Sequence, residues 1–340
     1  MGAKKQSRLK QFLEIKGMGG ALTAFCGLII IYIAFGLINS TVFSGQNVQN
    51  LLRSMSKYLL IGVGQSFVMI TSNIDLSIGA VVGMSAMISA TLMTHGVSPI
   101  VAIIVTLLVA LVIGVINGIL VGKFKLPPFI ATLGTMFGAR GIAYIVNGNR
   151  NTDAIASAIG KEKADTFQNF FYYGKTLGIY NTFWIAMILF AVFFFLLAKT
   201  RTGRHIYAIG SNVEAAKLSG VNVVSTTIKA YLVSAVCSAV VGFILCAQAG
   251  MGNMEAGNMY EMYGVAAGVI GGVSPLGGSG LLLGTLAGAA VWQTLENGLN
   301  MIGVQVGIQR LVIGIIVVLA VLLDVVVRNG KGIGKKNRNK

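Results

Sequence analysis

Charge is scarce in this chain. Of its 340 residues only 11% are Asp, Glu, Lys or Arg while 55% are hydrophobic; ordinary soluble domains carry about 25% charged residues. The deficit excludes a soluble globular protein. A hydrocarbon core of about 30 Å takes about 20 apolar residues in a helix, and several runs reach or approach that length. Because the runs are continuous rather than alternating, they read as helices and not as barrel strands. The expected fold is therefore all-α, a polytopic membrane bundle.

Other scarcities narrow the chemistry. The two histidines, His95 and His205, fall on opposite predicted faces of the membrane, which excludes a paired-histidine metal site. The three cysteines, Cys26, Cys237 and Cys246, lie in apolar segments without metal spacing and read as packing residues. Phosphate-binding motifs are also missing. The "GKT" at 174–176 lacks the earlier glycine of a P-loop, position 169 being asparagine, and the "GSG" at 278–280 lacks a third glycine because position 283 is leucine. No cofactor and no catalytic residue is expected, and an intramembrane enzyme is disfavoured by the lack of clustered His, Asp or Cys at depth.

The excess of positive charge lies mostly at the ends. The net charge of +16 comes largely from Lys4, Lys5, Arg8, Lys10 and Lys16 and from Arg328, Lys331, Lys335, Lys336, Arg338 and Lys340. No folded soluble part displays these cations to a nucleic acid. They flank apolar spans, as the positive-inside rule requires of cytoplasmic ends. The reading is a basic cytoplasmic N-terminus (1–19), retained rather than cleaved as a signal, one membrane domain (20–327) and a basic cytoplasmic tail (328–340).

About ten membrane segments are expected, near 20–39, 58–72, 76–94, 98–121, 127–147, 181–198, 226–249, 262–273, 280–301 and 306–327. The segments near 58–72 and 262–273 are short, so eight full crossings with two re-entrant pieces is the other count. Two loops stand out, 148–180 on the outer face and 199–225 on the cytoplasmic face. In the second, Ser211 or Asn212 is placed to cap a short helix through "VEAAKLS", with Gly220 ending it. The 45 glycines against 4 prolines mostly serve close helix packing, as at Gly79 and Gly83 or Gly284 and Gly288.

Two interruptions break the apolar pattern. "SNIDLSIG" at 72–79 puts Asp75 inside the run from Tyr58 to Thr94, with Thr71, Ser72, Asn73 and Ser77 around it. A helix that stops near Ser72 and restarts at Asp75 places the carboxylate at a helix N-terminus, where negative charge is favoured. The second, "GVIGGVSPLGGSG" at 268–280, holds glycines and Pro275 that forbid one regular helix. Broken helices at depth are tolerated where they face protein or a water-filled path, so paired breaks in separate halves point to a translocation pathway.

The stretches "NIDLSIG", "NGILVGKFKLPPFIATLGTMFGARGIAYI", "GRHIYAIGSNVEAAKLSGVNV", "VIGGVSPLGGSG" and "ENGLNMIGV", in this order from about Tyr58 to Asp324, resemble the permease subunits of bacterial ATP-binding-cassette importers for monosaccharides, the ribose/xylose/galactoside type. The resemblance implies a multi-pass plasma (inner) membrane permease that pairs with a second copy, identical or related. It also implies a cytoplasmic ATP-binding subunit and a periplasmic or lipid-anchored sugar-binding protein as partners, with membrane lipid around the bundle.

On this reading Asn73, Asp75, Ser77, Gln248, Gly271, Gly272, Gly277 and Gly278 line the substrate pathway. Asn212, Glu214, Ala215, Ala216, Lys217 and Gly220 form the helix that docks into the ATPase. Departures are Ser72 and Asn73 where relatives often carry glycine, and Pro275 where a small or polar residue is usual, so no particular sugar is assigned. Permeases for branched-chain amino acids, nucleosides or a signalling sugar remain as alternatives. So does an ion-coupled secondary transporter, in which Asp75 would be the ion site.

Overall fold

The computed structural model describes residues 18–312, 314–316, 318 and 322. The basic tail and all but the last two residues of the basic N-terminal segment lie outside the described residues. The described residues open with α1 (Met18–Ile38), α2 (Gly45–Ile70), α3 (Ile78–Thr94), α4 (Pro99–Gly122) and α5 (Pro128–Ile145). The loop at 148–180 holds α6 (Ala156–Ile159), α7 (Lys161–Gln168), a π-helical turn at Asn169–Tyr173 and a two-residue hairpin pairing Lys175 with Tyr180. Then come α8 (Asn181–Lys199), α9 (Arg201–Ser211), α10 (Val213–Leu218), α11 (Val223–Ala249), α12 (Tyr260–Ile270) and α13 (Leu282–Met301).

Local signals set these boundaries. Ser44 accepts a hydrogen bond from the N–H of Asn47 at the start of α2, and Asn222 from that of Ser225 at the start of α11. Proline opens α4 and α5, where its missing N–H costs nothing. Gly250, with φ of +68°, ends α11 in the left-handed conformation.

Among the described residues, α1, α4, α8 and α11 are each long and apolar enough to cross a membrane. They divide sharply in burial. In its most apolar window α11 is 78% buried, against 17% for α1, 22% for α4 and 28% for α8. Helix α11 is thus the centre, packed on α2, α3 and α4, while α13 packs on α1, α2 and α12. The outlying helices turn Leu37, Ile100, Leu108, Ile188 and Phe195 outward, a surface suited to lipid and not to water.

Three expectations change in the structure. The segment expected at 58–72 is the end of the 26-residue α2, whose polar first half hides it from a hydropathy reading. The segment expected at 262–273 is the 11-residue α12, which rises only about 16 Å, roughly half the hydrocarbon thickness. Helix α3 starts at Ile78, not at Asp75. The tenth expected segment, 306–327, lies largely outside the described residues.

Candidate functional site

The first break hangs from an unusual helix end. Helix α2 closes with a Schellman motif, in which the N–H of Ser72 bonds Met69 O at 2.9 Å and that of Asn73 bonds Val68 O at 3.3 Å. This motif needs a left-handed residue, usually glycine, and here Ser72 takes φ of +63°. Its hydroxyl supplies what glycine lacks, lying 3.0 Å from the carbonyl of Gly210 and 2.8 Å from that of Leu276. Nearby, the N–H of Gly278 bonds Ile70 O at 2.9 Å, and Asn73 donates to the Thr71 hydroxyl at 2.8 Å.

The two breaks therefore meet each other and meet α9. Gly272, Gly277 and Gly278 all have positive φ, which lets the second break fold back as a tight turn. Tyr207 of α9 donates to the carbonyl of Gly280 at 2.7 Å. Burial pushes its hydroxyl up to about 12, so it stays a protonated donor at physiological pH. Behind this junction, Phe194, Leu197, Arg204, Tyr207, Gly278 and Leu282 help line a cavity of about 560 Å³.

Asp75 lies deeper, 3% exposed. One carboxylate oxygen accepts from the Ser77 N–H (2.9 Å) and hydroxyl (2.6 Å), the other from the Ser234 hydroxyl on α11 (2.7 Å). Ser77 in turn accepts from Asn117 of α4 at 2.9 Å, and Asn117 from Thr135 of α5 at 2.6 Å. The Thr132 hydroxyl accepts from the N–H of Leu76, and Tyr231 donates to the carbonyl of Ile74. The expected cap is thus corrected. Ser77 is the N-cap of α3, and Asp75 binds the backbone one residue before the helix rather than its first free N–H groups. The carboxylate ties the irregular segment to α11 directly and, through Ser77 and Asn117, to α4 and α5.

The other expected residues are dispersed. Gln248 stands exposed at the far end of α11, where it accepts from Lys57 at 3.2 Å; its position, 14 residues beyond Ser234, is about 21 Å along the helix from Asp75. That far end also carries Arg53, stacked on the rings of Tyr172 at 4.5 Å and Tyr180 at 4.1 Å. The loop at 148–180 and helix α9 accordingly sit at opposite ends of α2. Gly284 and Gly288 admit the backbone of Gly271 and Ala267, as close helix packing requires. Gly79 and Gly83 instead admit the irregular segment 250–259, which Arg140 holds through the carbonyls of Met254 (2.8 Å) and Ala256 (3.0 Å).

In the loop 199–225, Asn212 accepts from the N–H of Ala215 at 2.9 Å and caps α10, which carries Glu214, Ala215, Ala216 and Lys217. Gly220 follows at φ of +81°. Helix α9 escapes the sequence reading, although Thr200 caps it and its Ile206 and Ile209 are buried; its glycines and basic residues mask an amphipathic pattern. Gln65 of α2 also escapes. It is fully buried, and neither its amide nitrogen nor its oxygen has a hydrogen-bond partner among the described residues, a state that costs about 1–3 kcal/mol per group.

Residues 47–321 match the family described as the branched-chain amino acid transport system / permease component. The chain belongs to this permease family. Among its relatives is the ribose import permease protein of Bacillus subtilis, 38% identical over 92% of this chain and 95% of that one. The D-allose transport system permease protein of Escherichia coli is 34% identical over 87% of this chain and 89% of its own length. The autoinducer 2 import system permease protein of Salmonella typhi is 31% identical over 91% and 85%. No solved structure matches. As a member of this family the chain is a transport permease, not an enzyme, and its apolar helices fit a multi-pass protein of the bacterial inner membrane.

Proposed function

We propose that this chain is the membrane-spanning subunit through which a monosaccharide, of the ribose or allose kind, enters the cell. Residues 20–327 form the permease unit, both termini lie in the cytoplasm, and two copies enclose the pathway. A sugar-binding protein delivers the solute at the end of α2 that carries Arg53, and an ATP-binding subunit engages α9 and α10 at the other end.

The observation that carries this reading is the junction of Ser72, Gly210 and Leu276. A push on α10 passes through Asn212 into α9, and α9 holds both breaks by direct hydrogen bonds. The breaks are where the bundle's helices are discontinuous, so they are the places a pathway opens or closes at least cost. Asn73, Gly271, Gly272, Gly277 and Gly278 line the pathway at this end, Gln248 stands at its outer rim, and Asp75 and Ser77 brace it from within.

A neutral sugar suits this lining better than a zwitterion does. An amino acid calls for paired opposite charges, and both oxygens of Asp75 are already engaged by hydroxyls and one N–H. The test is a competition assay in cells that express this chain with its partner subunits. Uptake of radiolabelled ribose should be competed by allose and untouched by leucine or adenosine. Competition by leucine with no effect of allose would reject the sugar reading.

A further inference from the structure

Helix α12 lies along one stripe of α2 like a cover. Tyr58 and Gln65 are seven residues apart and so share a face of that helix, and Ser72 follows just past its end. Tyr260 and Tyr263 contact the ring of Tyr58, with centroids 6.1 and 5.6 Å away. Gly264 packs on Ile61 and Gln65, Gly268 on Ser66 and Met69, and Gly277 of the following turn on Ser72. The covered stripe is polar at both ends, where the Tyr58 hydroxyl donates to Glu296 at 2.8 Å and Ser72 reaches Gly210 and Leu276. At its middle lies the unpartnered amide of Gln65.

The cover is short and set between irregular segments. It has 11 residues and starts from Met259, a non-glycine at φ of +67° with no side-chain cap. Irregular segments flank it, 250–259 on one side and 271–281 on the other. Beyond its first turn, where Tyr260 and Tyr263 pack on Tyr58 and Tyr263 on Trp292, its contact with α2 and α13 runs through Gly264, Ala267 and Gly268, which offer smooth surfaces.

We propose that α12 is a lid over the solute pathway and that Gln65 is the mid-membrane residue that hydrogen-bonds the solute when the lid lifts. This rests on the importer reading above and names its specificity residue. A carboxamide donates and accepts at once, as a sugar hydroxyl does, and carries no charge that would hold a neutral solute too long. An amide buried without a protein partner in one state is free to take a solute hydroxyl as its partner in another.

The test uses the assembled complex of permease, ATP-binding subunit and sugar-binding protein in vesicles. Gln65→Leu, close in volume, removes the unpaired groups. It should leave thermal stability unchanged or raised and ATP hydrolysis within about twofold, while uptake of radiolabelled ribose falls at least tenfold. Gln65→Asn should recover part of that loss.

A second measurement replaces Cys26, Cys237 and Cys246 by alanine and introduces a single thiol by Gln65→Cys. A water-soluble methanethiosulfonate reagent should modify that thiol during ATP turnover and not at rest. Wild-type uptake by Gln65→Leu, or an introduced thiol that stays inert in every nucleotide state, overturns the proposal. Modification of the thiol in vesicles whose unmutated complex takes up no ribose would keep the lid and reject the importer reading instead.

Discussion

Asp75 shows how a costly buried carboxylate is held. Its hydrogen bonds come from one N–H and two hydroxyls, and charge-assisted bonds of this kind are stronger than neutral ones. Asp75→Asn keeps the shape and loses that charge assistance, so a cost of about 1 kcal/mol is expected; Asp75→Ala leaves Ser77 and Ser234 unsatisfied and should cost roughly 3 kcal/mol. Thermal unfolding in detergent measures both effects. Because both oxygens are engaged by Ser77 and Ser234, the relative uptake of ribose and allose should not change in Asp75→Asn, and a changed ratio would place the carboxylate in the pathway. The sequence singles out Asp75 because charge is so rare in its surroundings. Its distant partner was illegible, since Ser234 lies 159 positions away, as was Asn117, which bonds Ser77 from 40 positions away, and nothing local links them. Gln65 carried the same kind of signal, a lone amide in "LLIGVGQSFVMI", but without a charge to draw the eye.

At the scale of elements, polar and glycine-rich interruptions gave away both breaks, and a cap followed by a glycine gave away α10. What stayed hidden was length and contact. The first half of α2 is too polar for a hydropathy reading, and α9 mixes glycine and arginine into its turns. That the two breaks meet on α9 is a tertiary fact carried by Ser72, a left-handed serine where a glycine would fit the backbone and make no such bonds. Helix α10 exposes Glu214 and Lys217, and it is the helix proposed to meet the ATP-binding subunit. Glu214→Arg should abolish co-purification with that subunit, a loss of at least tenfold, while the permease still inserts in the membrane. Retained assembly and uptake would remove the docking role from α10.

For the whole molecule, composition alone was enough to specify an all-α membrane bundle, because so few charges and so many long apolar runs leave no other solution. The arrangement inside it was not legible: α11, about as apolar as the outlying α1 and α8, is the buried centre, and hydropathy does not separate a buried helix from an outlying one. Around that centre the structure forms a short mechanical route from α10 through α9 to both breaks and on to α12. On the proposed function, energy enters from a partner at that end and not from an ion moving through the bundle. Accumulation of radiolabelled ribose in vesicles holding the assembled complex, with ATP and with the ion gradient collapsed by an uncoupler, tests this most directly. Uphill uptake that needs ATP and the sugar-binding protein and survives the uncoupler is the expected result; uptake that the uncoupler abolishes while ATP remains would contradict it.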